Sequence, residues 1–321
     1  MPARSLMARS CLLMTFPLLL ALALAAAVNY SYDAAGRLIR IDYGVGGSIA
    51  YTYDKAGNLL SRSVSGGGGA GGTITSVNTA GSAAPAGIAQ NTWLEIRGNN
   101  LVPPNTAASG VIWSDAPEFG QGKMPTRIGS ISVTVNGKPA YIYFYCSSVT
   151  ASICASDQLN VLSPLDDTTG PVQVVVSNNG VPSAGYTATM NASVPSFFLF
   201  KDPYVVATHS NGSLLGPGSL YPGLSTRAAK NEPIVVYGTG FGLPPAAPAP
   251  GSASQSGALR ALPVCKVGND PAQVAFAGLI GPGLLQLNLV VPNTDATTGD
   301  RAISCAYNGA STPATDILAV Q

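Results

Sequence analysis

The chain has 321 residues, 46% hydrophobic and only 10% charged, with 16 basic against 15 acidic side chains and one histidine. That length suits about two domains of ordinary size, and so thin and balanced a charge excludes a field able to gather nucleic acid or acidic lipid. Glycine at 37 positions and proline at 25 fit many short apolar strands joined by turns better than disorder or a membrane bundle.

Residues 1–27 stand apart. Arg4 and Arg9 form a basic start, Leu12 to Ala26 is almost wholly apolar, and Ala25 and Ala27 supply small residues for cleavage. This pattern predicts a secretory signal; the apolar run falls short of the about 20 residues of a membrane span, and an uncleaved anchor is the alternative. Cys11 precedes the apolar run and is poorly placed for lipid attachment. Removal of the segment leaves 14 basic against 15 acidic residues. The expected location is secreted or cell-surface, with no stable membrane span after cleavage.

Residues 28–64 carry a repeat. Tyr30-Ser31-Tyr32-Asp33-Ala34-Ala35-Gly36-Arg37-Leu38 returns 21 positions later as Tyr51-Thr52-Tyr53-Asp54-Lys55-Ala56-Gly57-Asn58-Leu59. Alternating tyrosines suit a pleated surface, Asp-x-x-Gly makes a turn and Leu restarts a strand, so a β-hairpin array is predicted. These residues resemble the YD repeats of RHS-type and teneurin-type proteins. Long arrays in that family build a shell, which two copies are too few to close, so the encapsulating role does not carry over. A Gly-rich run at 65–72 follows and reads as a flexible tether at a domain boundary.

From Thr73 the apolar residues alternate, as in Leu94 and Ile96 with Glu95 and Arg97, or Ile131, Val133 and Val135 with Ser132 and Thr134. A period of two marks strands with one buried face, and no stretch offers a helical period. The second half repeats the first. Gln158-Leu159-Asn160-Val161-Leu162-Ser163-Pro164 matches Gln286-Leu287-Asn288-Leu289-Val290-Val291-Pro292, Pro139 to Phe144 matches Pro271 to Phe276, and Leu94 to Gly98 matches Ile234 to Gly238. The expected fold is all-β, with one immunoglobulin-like sandwich at 73–192 and a second at 193–321.

Ile88 to Leu101, the strand-turn Val133-Thr134-Val135-Asn136-Gly137-Lys138-Pro139-Ala140, the segment Gln158-Leu159-Asn160 and the ending Ile317-Leu318-Ala319-Val320-Gln321 resemble a C-terminal tandem domain family abundant in secreted acidobacterial proteins, whose units are similar to IPT/TIG folds. The resemblance covers about residues 73–321. It implies a tail module carried behind varied N-terminal regions outside the cytoplasm, and it transfers no activity or ligand. Gln90-Asn91 stands where that pattern has Pro-Gly.

Four cysteines follow the signal: Cys146, Cys154, Cys265 and Cys305. Four allow three pairings. The internal duplication aligns Cys265 with Val133 and Cys305 with Val176, both on apolar faces. The interval from Phe144 to Gln158 exceeds that from Phe276 to Gln286 by four residues, in the segment holding Cys146 and Cys154. The predicted bridges are therefore 146–154 and 265–305, in keeping with an oxidising location. Free buried thiols or a metal site are the alternatives, although two-residue Cys spacing and partner histidines are missing.

No cofactor or metal site and no catalytic residue is predicted. His209, within Ala207-Thr208-His209-Ser210-Asn211-Gly212, reads as part of a polar turn. Glu95 and Glu232 read as facing water near strand starts, and Asp115 and Glu118 share a Pro-containing loop near Trp113. Asp166-Asp167-Thr168-Thr169-Gly170 and Asp295 to Asp300 lack the alternation of a calcium loop and read as turns. Gly238-Thr239-Gly240-Phe241-Gly242 runs into Pro244-Pro245, so no helix begins there to receive a pyrophosphate. If Ile142 and Phe144 point inward, Tyr141, Tyr143 and Tyr145 form an outward stripe, the candidate binding surface. Packing of that stripe under loops or a neighbouring domain is the blander reading. The function expected is a non-catalytic binding or surface-display module of adhesin type, its partner a cell-surface glycan or another extracellular protein. The alternatives are an architectural spacer or sorting tail left from a larger YD-repeat protein and, remotely, an extracellular hydrolase.

Overall fold

The structure is a computed structural model and describes residues 28–42, 48–65, 71–81, 87–294 and 298–321. The expected signal at 1–27 and most of the Gly-rich run lie outside the described residues, as do Asp295 to Thr297. The chain divides into two compact units, Met1–Gly68 and Gly69–Gln321. Among the described residues there is no α-helix, and no helix is long and apolar enough to cross a membrane.

The first unit is a four-stranded antiparallel meander of Asn29–Tyr32, Leu38–Asp42, Ser48–Tyr53 and Leu59–Ser65. Its two YD turns are built alike: Asp33 Oδ1 accepts from the backbone N–H groups of Ala35 and Arg37, and Asp54 Oδ1 from that of Asn58. The repeats are joined by Arg37, whose Nε donates to Asp33 at 2.7 Å, whose Nη1 donates to the Asp54 carbonyl at 3.1 Å, and whose guanidinium lies 4.9 Å above the Tyr53 ring. Asn58 occupies the corresponding place in the second copy, and its side-chain amide donates to its own Asp54 side chain at 2.9 Å.

The second unit holds two β-sandwiches, each with its own core. In the first, Thr73–Thr79, Trp93–Asn99, Asp157–Leu162, Tyr141–Cys146 and Val111–Ile112 form one sheet, and Lys138–Pro139, Ile131–Val135, Gly170–Asn178, Tyr186–Asn191 and Ile88–Ala89 the other. Leu94, Ile96, Leu159 and Val161 from one sheet meet Ile131, Val133, Val135, Val174 and Val176 from the other, all buried. The alternation read from the sequence is the inward face of these sheets.

The second sandwich repeats the register of the first. Gln158 pairs with Arg97 and Leu159 with Ile96; Gln286 pairs with Tyr237 and Leu287 with Val236. A β-bulge also recurs, between Ile142 and Phe144 in one copy and between Val274 and Phe276 in the other. The copies differ where a strand crosses from one layer to the next. Asp270–Gly281 runs unbroken, pairing first with Val264–Val267 and then with Leu284–Val290. Its counterpart in the first copy is split into Lys138–Pro139 and Tyr141–Cys146.

Both expected disulfides form. Cys146 and Cys154 pinch the loop between two strands, with Cα atoms 6.5 Å apart. Cys265 and Cys305 are directly opposed on adjacent strands, 4.0 Å apart at Cα, where Val133 opposes Val176 in the first copy.

The sandwiches are tied by polar contacts. Trp93 Nε1 donates to the Pro282 carbonyl at 2.8 Å, and the Trp93 backbone N–H to Thr239 Oγ1 at 3.1 Å. Buried Gln255 accepts through one oxygen from Asn91 Nδ2 at 2.9 Å and from the Gly283 N–H at 3.2 Å. Asn91 reaches it with φ at +49°, left-handed backbone that asparagine tolerates. Gln255→Leu removes the acceptor that those two donors share, so a loss of about 1–3 kcal/mol is expected. Urea unfolding and faster proteolysis between the sandwiches are the measurements.

Candidate functional site

Strand parity decides which side chains reach the surface between the sandwiches. Leu94 and Ile96 point inward, so Trp93, Glu95 and Arg97 point outward from the same strand. Asn160 is the cross-strand partner of Glu95, which places an amide beside a carboxylate on that outer face. Val111–Ile112 pairs with Tyr145 and Phe144, and the 3-10 turn Trp113–Asp115 that follows carries Trp113 over the same face.

The expected tyrosine stripe is corrected here. Tyr143 sits in the bulge, so residues on either side of it do not alternate as in a regular strand. Ile142 pairs with Val161 and faces the core. Phe144 is half-buried against the Cys146–Cys154 bridge, and Tyr145, paired with Leu159, turns inward with 6% exposure. Burial raises the Tyr145 hydroxyl above its ordinary pKa. Tyr141 lies against Gly251 of the second sandwich, and burial raises its hydroxyl likewise. Of the three, Tyr143 is exposed, Tyr141 half-buried and Tyr145 buried.

Tyr143 joins both tryptophans of the chain. Its ring lies 5.6 Å from Trp93 and 5.1 Å from Trp113, the tryptophans are 5.6 Å apart, and Phe119 stands 5.3 Å from Trp113, all edge-to-face. Trp93, Trp113 and Tyr143 line a groove of about 580 Å³, together with Glu95, Asn160 and Leu284. Glu95 Oε1 accepts from Arg97 Nε at 2.6 Å, and Asn160 Oδ1 accepts from Gln158 Nε2 at 2.9 Å. Sequence reasoning passed over Trp93 and Trp113 as site residues. The signal was present: the chain has two tryptophans, and one of them holds an outward position of a strand.

The other candidate groups fall elsewhere. His209 ends the strand Ala207–His209 instead of lying within a turn; its Nδ1 is 2.5 Å from Glu232 Oε1, and its Nε2 is 2.9 Å from Thr226 Oγ1. Glu232 is therefore engaged, not simply facing water, and its Oε2 also accepts from the Ala229 N–H at 2.6 Å. Asp115 and Glu118 stand on two separate 3-10 turns. Asp157, buried at 3% exposure, accepts from the N–H groups of Leu101 and Ser148, both at 2.9 Å, and from the Ser148 hydroxyl at 3.0 Å. It anchors the pinched loop.

Asp166 is fully occupied by local partners. Burial would raise its pKa, but hydrogen bonds from Asn136, from the Thr168 hydroxyl and backbone and from Lys138 outweigh this and hold the carboxyl well below the usual carboxylate range. A carboxyl with a depressed folded-state pKa adds stability above its unfolded value, about 3.9, and that contribution is lost as pH falls from there towards the folded value. Asp166→Asn is thus expected to lower stability at pH 7, with the gap to the parent protein closing below about pH 4; urea midpoints measured from pH 7 to 3 check it.

Comparison with known proteins gives a family match over the first unit only. Residues 30–70 match the RHS repeat family, and no curated protein matches the chain. Among solved structures, a Gamma-CGTase from alkalophilic Bacillus clarkii aligns at 12% identity and a TM-score of 0.24, covering 92% of this chain and 33% of its own; the chain thus spans about a third of that enzyme. The titin Ig tandem A164–A165 aligns at 9% identity and 0.19, over 78% of this chain and 98% of its own. Titin domains I67–I69 align at 9% and 0.19, over 92% and 89%. Scores this low add nothing to the strand pairing described above.

Proposed function

We propose that this chain is a secreted, non-catalytic binding or surface-display module of adhesin type, with the groove beside Trp93, Trp113 and Tyr143 as its ligand site. The observation that carries this reading is a difference between the two sandwiches. The fold is built twice, yet Pro233 stands in the second copy where the first has Trp93, Val235 where it has Glu95, and Ala275 where it has Tyr143. A sandwich of this register therefore does not need the aromatic set. Two disulfides suit an oxidising compartment outside the cytoplasm. The RHS repeat match at 30–70 and the resemblance of residues 73–321 to IPT/TIG-type tails of secreted proteins support the same location.

A second reading, an architectural spacer or sorting tail left from a larger YD-repeat protein, is favoured by one contact. Arg37 links one repeat to the next, whereas among the described residues Asn58 in the second repeat makes no such link. Deleting residues 73–321 separates the two readings: lost surface retention with no lost ligand favours the tail.

The full chain expressed in an export-competent host should be recovered outside the cytoplasm, with residues 1–27 removed and the peptides of Cys146–Cys154 and Cys265–Cys305 linked in mass mapping. Retention inside the cell with free thiols overturns the location. The hydrogen-bonded set of Thr226, His209 and Glu232 is where hydrolysis would be sought. No ester or peptide turnover is expected, and turnover abolished by His209→Ala would reverse the non-catalytic assignment.

A further inference from the structure

We infer that the groove takes a segment of neutral polysaccharide, a ligand class that rests on the binding-module reading. The three rings meet at interplanar angles of 69° to 83°, so they form a corner of differently oriented planes and not a closed stack. The apolar C–H faces of sugar rings pack on such aromatic surfaces, and the groove's volume of about 580 Å³ lies within the range of small-ligand sites.

The polar groups suit hydroxyls. Glu95 and Asn160 are directly opposed on neighbouring strands, which offers an acceptor and an amide side by side. The Asn160 oxygen is engaged by Gln158, leaving its N–H groups as donors, and one Glu95 oxygen is engaged by Arg97, leaving the other as an acceptor. A vicinal diol both donates and accepts, so one sugar edge can satisfy both groups. Charge points the same way. Among the described residues, Glu95 is the only ionisable carboxylate lining the groove, and Arg97 balances it. An anionic chain would meet no free cation among the described residues of the lining, and a buried charge without a partner is costly.

The test uses the full mature chain with laminarin, soluble starch and hydroxyethylcellulose as neutral probes and polygalacturonate as the anionic control. Affinity electrophoresis and intrinsic fluorescence report binding; both tryptophans of the chain lie in the groove, so emission senses occupancy there. The expected result is a shift with at least one neutral polymer and none with polygalacturonate, and a Kd weakened at least tenfold by Trp113→Ala and by Tyr143→Ala. The second copy already carries Ala275 at the position of Tyr143, so Tyr143→Ala should fold, and an unchanged urea midpoint confirms that it has. Failure of all neutral polymers, or binding indifferent to both variants, overturns the inference. Groove-dependent binding of polygalacturonate or of a protein instead would discard the neutral polysaccharide and retain the binding module; a groove that holds no ligand of any kind in an exported chain discards both.

Discussion

Cys265→Val combined with Cys305→Val is expected to yield a folded protein less stable by about 2–4 kcal/mol. Chain entropy sets the scale: closing a loop with a sequence separation of 40 removes about 3.9 kcal/mol of freedom from the unfolded chain. The partial recovery has a structural basis. The two cysteines are buried cross-strand partners, and the first sandwich fills the matching positions with Val133 and Val176, also buried cross-strand partners. The double variant thus installs a side-chain pair that the same register already accommodates, adding apolar area to the core. Cys305→Ser alone should cost more, because it loses the cross-link and leaves an unbridged thiol beside a hydroxyl in an apolar core. Urea unfolding of the three proteins with and without reductant is the measurement. Reductant should bring the parent close to the double variant and leave the double variant with only the smaller loss from Cys146–Cys154.

Asp157→Ala should lower stability by about 3 kcal/mol and loosen the pinched loop. The carboxylate receives two backbone N–H groups at 2.9 Å, from Leu101 and Ser148, and the Ser148 hydroxyl at 3.0 Å. Hydrogen bonds to a charged group are worth about 1.5–3 kcal/mol each, and a buried donor left without a partner carries a penalty of about 1–3 kcal/mol. These terms overlap and do not simply add. Asp157→Asn keeps an oxygen for some of these donors and should lose less. Urea unfolding gives the magnitude, and amide hydrogen exchange locates it: residues 147–153 should lose protection in the alanine variant while the strand Gly170–Asn178 keeps its own. Equal loss in both places would mean that Asp157 supports the whole sandwich and not the loop.

The cysteine pairing was legible because duplication supplied an internal reference. Aligning Cys265 with Val133 and Cys305 with Val176 placed both sulfurs on inward faces, and the strand register sets them opposite each other. The tyrosine stripe was misread for an equally specific reason. A bulge has no composition of its own, and a single extra residue at Tyr143 reverses the facing of everything after it. Tyr145 entered the core, and Tyr141 met Gly251, a residue 110 positions further along the chain.

What the sequence by itself determined was the all-β class, the two-fold repetition of the sandwich and the YD turns, since period-two alternation and Asp-x-x-Gly chemistry act between near neighbours. What only the tertiary structure decided was the groove. Trp93, Trp113 and Tyr143 come from three separate segments and gather because a bulge aims one ring outward, a 3-10 turn carries another across, and Pro282 of the second sandwich holds the third by its indole N–H. Local propensity carries no record of such long-range contacts.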